Sequence, residues 1–203
     1  MKKSTKRAAK SKSKNKSASK SRAKKTNKND LIELILEDHK PLKRLIKIMK
    51  NSDLIFEKRL AAFEEFCPLL TTHAKPEEEV MYTFMKKNEE LREEGFEGDV
   101  EHQLADQMAE EAARTEDRDL FGARIKVLAE LVEHHIEEEE EELLPDFRKA
   151  TDLEQRIEMG NEFLDKKANL WAKGGDDSPL EGKIADEESE DEDESTRIGA
   201  VAY

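Results

Sequence analysis

The chain has 203 residues, of which 42% are charged and 35% hydrophobic, with one cysteine and a formal net charge of -13. A disulfide framework is excluded, and no apolar run long enough for a membrane-spanning helix is visible. So much charge is compatible with a packed core only if most of it lies outside the core.

The first 28 residues hold 13 Lys or Arg and no acid, mixed with Ser, Ala and Asn. Such a segment has nothing to bury and is expected to be a disordered basic tail. Without its 13 cations the remainder has 23 bases against 49 acids, a charge of -26, so the folded part is strongly acidic. Nucleic acid contact is therefore expected only through the basic arm, by phosphate neutralisation and without base specificity. No apolar stretch follows the basic start, so a soluble, cytoplasmic chain without membrane association is expected.

From Asn29 onward apolar residues recur at intervals of three and four, which is the helical period. A first helix is predicted over about 30–50, capped by Asn29 or Asp30, with Ile32, Ile35, Leu36, His39, Leu42, Ile46 and Met49 on one stripe. A second covers about 52–87, with Leu60, Phe63, Phe66, Cys67, Leu70, His73, Glu77, Val80, Met81 and Phe84 inward. Pro68 and Pro76 are expected to kink or divide it. A linker around Gly95 and Gly98 leads to a third helix over about 99–115, whose narrow face is His102, Ala105, Ala109 and Ala112. The fourth runs over about 118–149 with Ile125, Leu128, Leu131, Val132, His135, Glu139, Leu143 and Phe147 on one side and a bend at Pro145. A last amphipathic helix is predicted over 153–171.

The fold class expected is all-α: an antiparallel up-down four-helix bundle over 29–150, an accessory helix over 151–173, and disordered tails over 1–28 and 174–203. The last of these contains the acidic run from Asp186 to Glu194.

The histidines carry the functional signal. His39 is followed 34 positions later by His73 and then Glu77; His102 is followed 33 positions later by His135 and then Glu139. A His and a Glu at i and i+4 share one helix face and can reach one cation. Imidazole with carboxylate, and no thiolate, suits iron, manganese or zinc, and Glu77 and Glu139 can each lend an oxygen to two ions. A single core histidine is more often just a hydrogen-bonded residue. Four of them with two glutamates, all on inward stripes, would leave several buried polar groups unpaired without a cation. His134 with Glu138 is the alternative register to His135 with Glu139, and most of the run Glu137 to Glu142 is solvated charge in either. Asp106, four past His102, is read as an exposed residue or an added ligand, and Asp38 as an orienting acceptor for His39 or a surface charge.

Glu37-Asp38-His39-Lys40-Pro41-Leu42, His73-x3-Glu77-Glu78-Glu79-Val80-Met81-Tyr82, Glu101-His102, and His134-His135-Ile136-Glu137-Glu138-Glu139 through Pro145 together resemble the hemerythrin HHE cation-binding domain. The resemblance implies a non-haem centre of two irons, bridged by oxo or hydroxo groups and carboxylates, on His39, His73, Glu77, His102, His135 and Glu139. Manganese or zinc is the lesser alternative. It implies dioxygen, peroxide or nitric oxide as small ligands, since the family includes carriers and sensors. Where the oxygen carriers have a further His four residues past the third-helix ligand, this chain has Asp106. The segment around Gly160 and Lys166-Lys167 resembles the trailing helix of bacterial members.

Three functions stay open at this point. The chain senses, binds or buffers iron or an oxygen-derived ligand; or it is a di-iron enzyme of catalase-like or nitric-oxide-detoxifying type, with Tyr82 as a redox candidate; or it is a metal-free helical scaffold for the basic arm.

Overall fold

The computed structural model describes residues 28–172. The acidic tail and all but Lys28 of the basic tail lie outside the described residues. The described part is all-helical. Helix α1 is Leu31–Lys50; α2 runs from Phe56–Glu77 through a π-helical turn at Glu78–Tyr82 into Thr83–Met85; α3 is Arg92–Ala113; α4 runs from Arg118–Glu138 through a second π turn at Glu139–Leu143 into Leu144–Ala150; α5 is Leu153–Ala172. None is long and apolar enough to cross a membrane.

Local chemistry sets the helix starts. The Asp30 carboxylate accepts from Ile32 N at 3.2 Å, and Asp117 does the same for Leu120 N at 2.8 Å. Asp152 and Gln155 exchange side-chain to backbone bonds of 2.9 Å in a reciprocal cap before α5. Asp30 also joins two helices, because Arg156 Nε donates to both its oxygens at 3.1 and 3.2 Å and so ties α5 to the start of α1.

α1 packs on α2 and α4, α3 on α4 and the π turn of α2, and α5 lies across α1 and α2. Buried apolar side chains form two clusters. One includes Leu42, Ile46, Phe63, Phe66, Ala109 and Leu128; the other includes Leu31, Ile35, Met81, Met85, Leu144 and Phe147, closed by Phe163 of α5. Between the two clusters, on each of the first four helices, comes a buried histidine: His39, His73, His102 and His135. The hydrophobic effect thus fixes two apolar layers, and the polar groups are held in the layer between them.

The structure departs from the expected elements at three places. Gly95 and Gly98 are not in a linker but inside α3, which starts at Arg92. A Cβ at Gly95 would lie 2.9 Å from Met85 Cβ, and one at Gly98 would lie 2.5 Å from the Tyr82 ring. Both glycines are there for close helix approach, a role that the sequence does not separate from a turn. Second, α2 passes through Pro68 and Pro76 without dividing, and starts at Phe56. Third, Leu143, expected inward, is half-buried while Leu144 is buried. The π turn supplies the reason: its wider winding moves the inward position from i+4 to i+5 after Glu139.

Cys67 is buried, and burial pushes its thiol up to about 12. Little thiolate exists at neutral pH, so Cys67 is expected to resist iodoacetamide in the folded protein and to be alkylated fully once denaturant is added; mass spectrometry distinguishes the two.

Candidate metal centre

His39, His73, Glu77, His102, His135 and Glu139 converge in the middle layer, and none is more than 4% exposed. The Glu77 Oε2 lies 3.4 Å from His73 Nε2 and 3.7 Å from His102 Nε2; the Glu139 Oε2 lies 3.2 Å from His39 Nε2 and 3.7 Å from His135 Nε2. Each carboxylate therefore faces one histidine from the α1 and α2 pair and one from the α3 and α4 pair. The rings of His39 and His73 are edge to face at 5.0 Å, as are those of His102 and His135 at 4.7 Å. Three groups of donors could each hold a cation: His39 with His73 and Glu139, His73 with Glu77 and His102, and Glu77 with His135 and Glu139. By contrast His134 points to solvent, its side chain 65% exposed, 3.4 Å from Glu138.

Every one of the four rings turns its Nδ1 outward to a carboxylate. His135 Nδ1 is 2.6 Å from Glu101, His39 Nδ1 is 2.9 Å from Glu140, His102 Nδ1 is 3.2 Å from Glu78, and His73 Nδ1 is 3.7 Å from Asp38. A carboxylate beside Nδ1 assigns the proton to that nitrogen and leaves the Nε2 lone pair pointing inward. His102 and His135 then bring two Nε2 atoms to 3.0 Å. Two lone pairs that close repel unless a proton or a metal ion lies between them.

Asp38 thus differs from its expected role: it orients His73, not the adjacent His39, because i and i+1 diverge by about 100° around a helix. The same divergence makes Glu101 serve His135 instead of His102. Asp106 is neither free nor aimed at the site. It binds Lys75 at 2.8 Å, and Lys75 in turn reaches Glu78, the partner of His102, at 3.3 Å.

Tyr82 is fully buried, and its hydroxyl donates to Glu139 Oε1 at 2.9 Å while lying 3.5 Å from His135 Nε2. Helical periodicity at i+4 assigns the inward place to Met81; the π turn brings Tyr82, five residues past Glu77, to the site as well. Glu78, Glu101 and Glu140, the acceptors of His102, His135 and His39, are the partners that sequence reasoning missed. Their signal lies in the repeat itself, since an acid follows each of Glu77 and Glu139 and an acid precedes each of His39 and His102.

The electrostatics follow from burial and from the charges the six residues place beside one another. Burial, then the charge of Glu139, pushes the Glu77 carboxyl well above the usual range. Burial acts the same way on Glu139, but His135 and His39 outweigh it and hold that carboxyl low. Burial pulls His73 down to about 4, whereas for His135 the neighbouring Glu139 and Glu101 overcome burial and raise it. Tyr82 is pushed well above its ordinary value by burial and by Glu139. Among the described residues, six buried atoms have no hydrogen-bond partner: His39 Nε2, both ring nitrogens of His73, both oxygens of Glu77 and Glu139 Oε2. Unpaired buried polar atoms are rare because each costs about 1–3 kcal/mol. Five of the six belong to the inward donor set, so the residues fit a bound cation.

The model of the hemerythrin HHE cation-binding domain matches residues 30–147, from the cap of α1 to the last turns of α4. No curated protein and no solved structure matches the chain.

Proposed function

Since the chain belongs to the hemerythrin HHE cation-binding domain family, we propose that it binds a pair of iron ions on His39, His73, Glu77, His102, His135 and Glu139, and that it senses, binds or buffers iron or an oxygen-derived ligand there. The observation that carries this reading is the set of orphaned donor atoms in a layer sealed by two apolar clusters. Glu77 and Glu139, each facing histidines of both hairpins, are the residues suited to bridging. A metal-free scaffold would leave these atoms unpaired for no gain. The domain proposed runs over 29–150 as an up-down bundle. Its support is the alternating order in which α1, α2, α3 and α4 enter the two apolar clusters.

When bound, an iron pair supplies exchange of electrons and vacant positions for small ligands. The residues around it prepare those positions. Glu78, Glu101 and Glu140 hold the Nδ1 protons of His102, His135 and His39 and aim their lone pairs, while Asp38 lies 3.7 Å from His73 Nδ1; the Tyr82 hydroxyl donates to Glu139 Oε1; the apolar layers exclude bulk water.

Anaerobic titration with ferrous iron is expected to saturate at two ions per chain, and a protein that takes up none rejects the proposal. Glu101→Gln keeps shape but removes the negative charge beside His135 Nδ1. It is expected to weaken binding about tenfold to a hundredfold by the same titration. The enzymatic alternative has one observation in its favour, the Tyr82 hydroxyl beside His135 and Glu139. Repeated turnover of peroxide by the iron form, lost in Tyr82→Phe, supports it; consumption that stops at one equivalent per site supports the sensor.

A further inference from the structure

The four outer carboxylates are not equivalent. Three are covered by a lysine: Glu140 by Lys43 at 2.7 Å, Glu78 by Lys75 at 3.3 Å, and Asp38 by Lys167 at 2.6 Å. Glu101 alone has no lysine or arginine partner among the described residues. On that side a cavity of about 110 Å³ opens between α3 and α4 and reaches His135 and Glu139 at its inner end. Its walls carry Glu94, Glu97 and Glu101 from α3 and Glu138, Glu142 and Asp146 from α4. Spacings of three and four put each trio on one helix face, so two acidic stripes oppose each other across the opening. No lysine or arginine lines it.

An acidic cluster alone is ordinary on so acidic a chain. Here it leads to a buried acceptor: Glu139, 1% exposed, lines the cavity and keeps its Oε2 without a hydrogen-bond partner. Glu94, Glu97 and Glu142, which line the same opening, have no cationic partner among the described residues either.

We infer that this cavity is the intake for the site: a vestibule in which Glu97, Glu142 and their neighbours collect a divalent cation and pass it to Glu139 and His135. The inference rests on the reading of the site as a cation cage. It assigns a direction to loading, through the α3 and α4 face, while the three lysine-covered faces stay closed to cations. Low-dielectric walls lined with one sign of charge concentrate the opposite ion and raise its rate of arrival by about tenfold or more.

The test follows uptake of cobalt(II) by the metal-free full chain in a stopped-flow spectrometer at low salt. Glu97→Gln with Glu142→Gln is expected to slow loading about tenfold and leave the final cobalt content unchanged. A matched double variant outside the vestibule, Glu64→Gln with Glu154→Gln, alters net charge equally and is expected to load within about twofold of wild type. Added salt should narrow the gap between the vestibule variant and wild type. The inference is overturned if the vestibule variant loads at the wild-type rate, or if both double variants slow alike. A wild-type chain that takes up no ion at all overturns the cage itself, which the end-point content reveals separately from the rate.

Discussion

Replacing Glu77 by Gln is expected to weaken cation binding by at least about a hundredfold and, in the metal-free protein, to raise the melting temperature. The first effect follows from removing a carboxylate of the proposed donor set, since disturbing even an outer partner of a ligand costs about ten- to a hundredfold. The second follows from burial. Glu77 is fully enclosed, both oxygens lack hydrogen bonds, and its carboxyl is pushed well above the usual range. A carboxyl with a raised folded value contributes stability that is complete below the unfolded value of 4.5 and is lost as pH rises toward the folded one. His73, drawn down to about 4 from 6.5, works in the opposite sense, adding stability as pH rises between those two values. Comparing the variant with wild type removes the part of the His73 contribution that the two proteins share. The expected gain is about 1–3 kcal/mol at pH 8, or several degrees, and it should shrink toward pH 4.5. Calorimetry of both metal-free proteins across that range checks it; a variant that is less stable than wild type at pH 8 contradicts it.

Gly98→Ala is the second large effect. The added methyl would stand 2.5 Å from the Tyr82 Cζ and 2.7 Å from its hydroxyl oxygen, and the ring is fully enclosed and cannot swing to solvent. Overpacking of this kind costs about 1–3 kcal/mol, and a melting temperature lower by several degrees is expected. Because the displaced ring carries the hydroxyl bonded to Glu139, ferrous iron affinity should fall as well. Tyr82→Leu shortens the side chain under Gly98, so the double variant is expected to be more stable than the sum of the two single losses predicts. Additive losses would show that the glycine matters for some reason other than the tyrosine.

Much of this molecule is legible in its residue pattern alone. The histidine and glutamate spacing needs only the helical period, because a ligand pair at i and i+4 uses the same geometry that buries a leucine stripe. His39, His73 and His135 each sit within such a stripe. What escapes the sequence has two physical causes. The first is the π turn after each of Glu77 and Glu139, which shifts the inward position by one residue and so carries Tyr82 and Leu144 inward. No periodicity at a fixed 3.6 residues per turn finds such a shift. The second is the divergence of adjacent helical residues, which sends Asp38 to His73 and Glu101 to His135, across the hairpin in each case. An acid beside a histidine in the chain is therefore not its partner in space. Gly95 and Gly98 belong to the same lesson: a glycine that reads as a break is a place where a neighbouring helix comes close.

The paired cage is tested most directly by X-ray absorption at the iron edge of the fully loaded protein. Imidazole scattering together with a metal-to-metal contribution is expected, the latter lost in Glu77→Gln with Glu139→Gln. Isolated ions with oxygen neighbours only would contradict it.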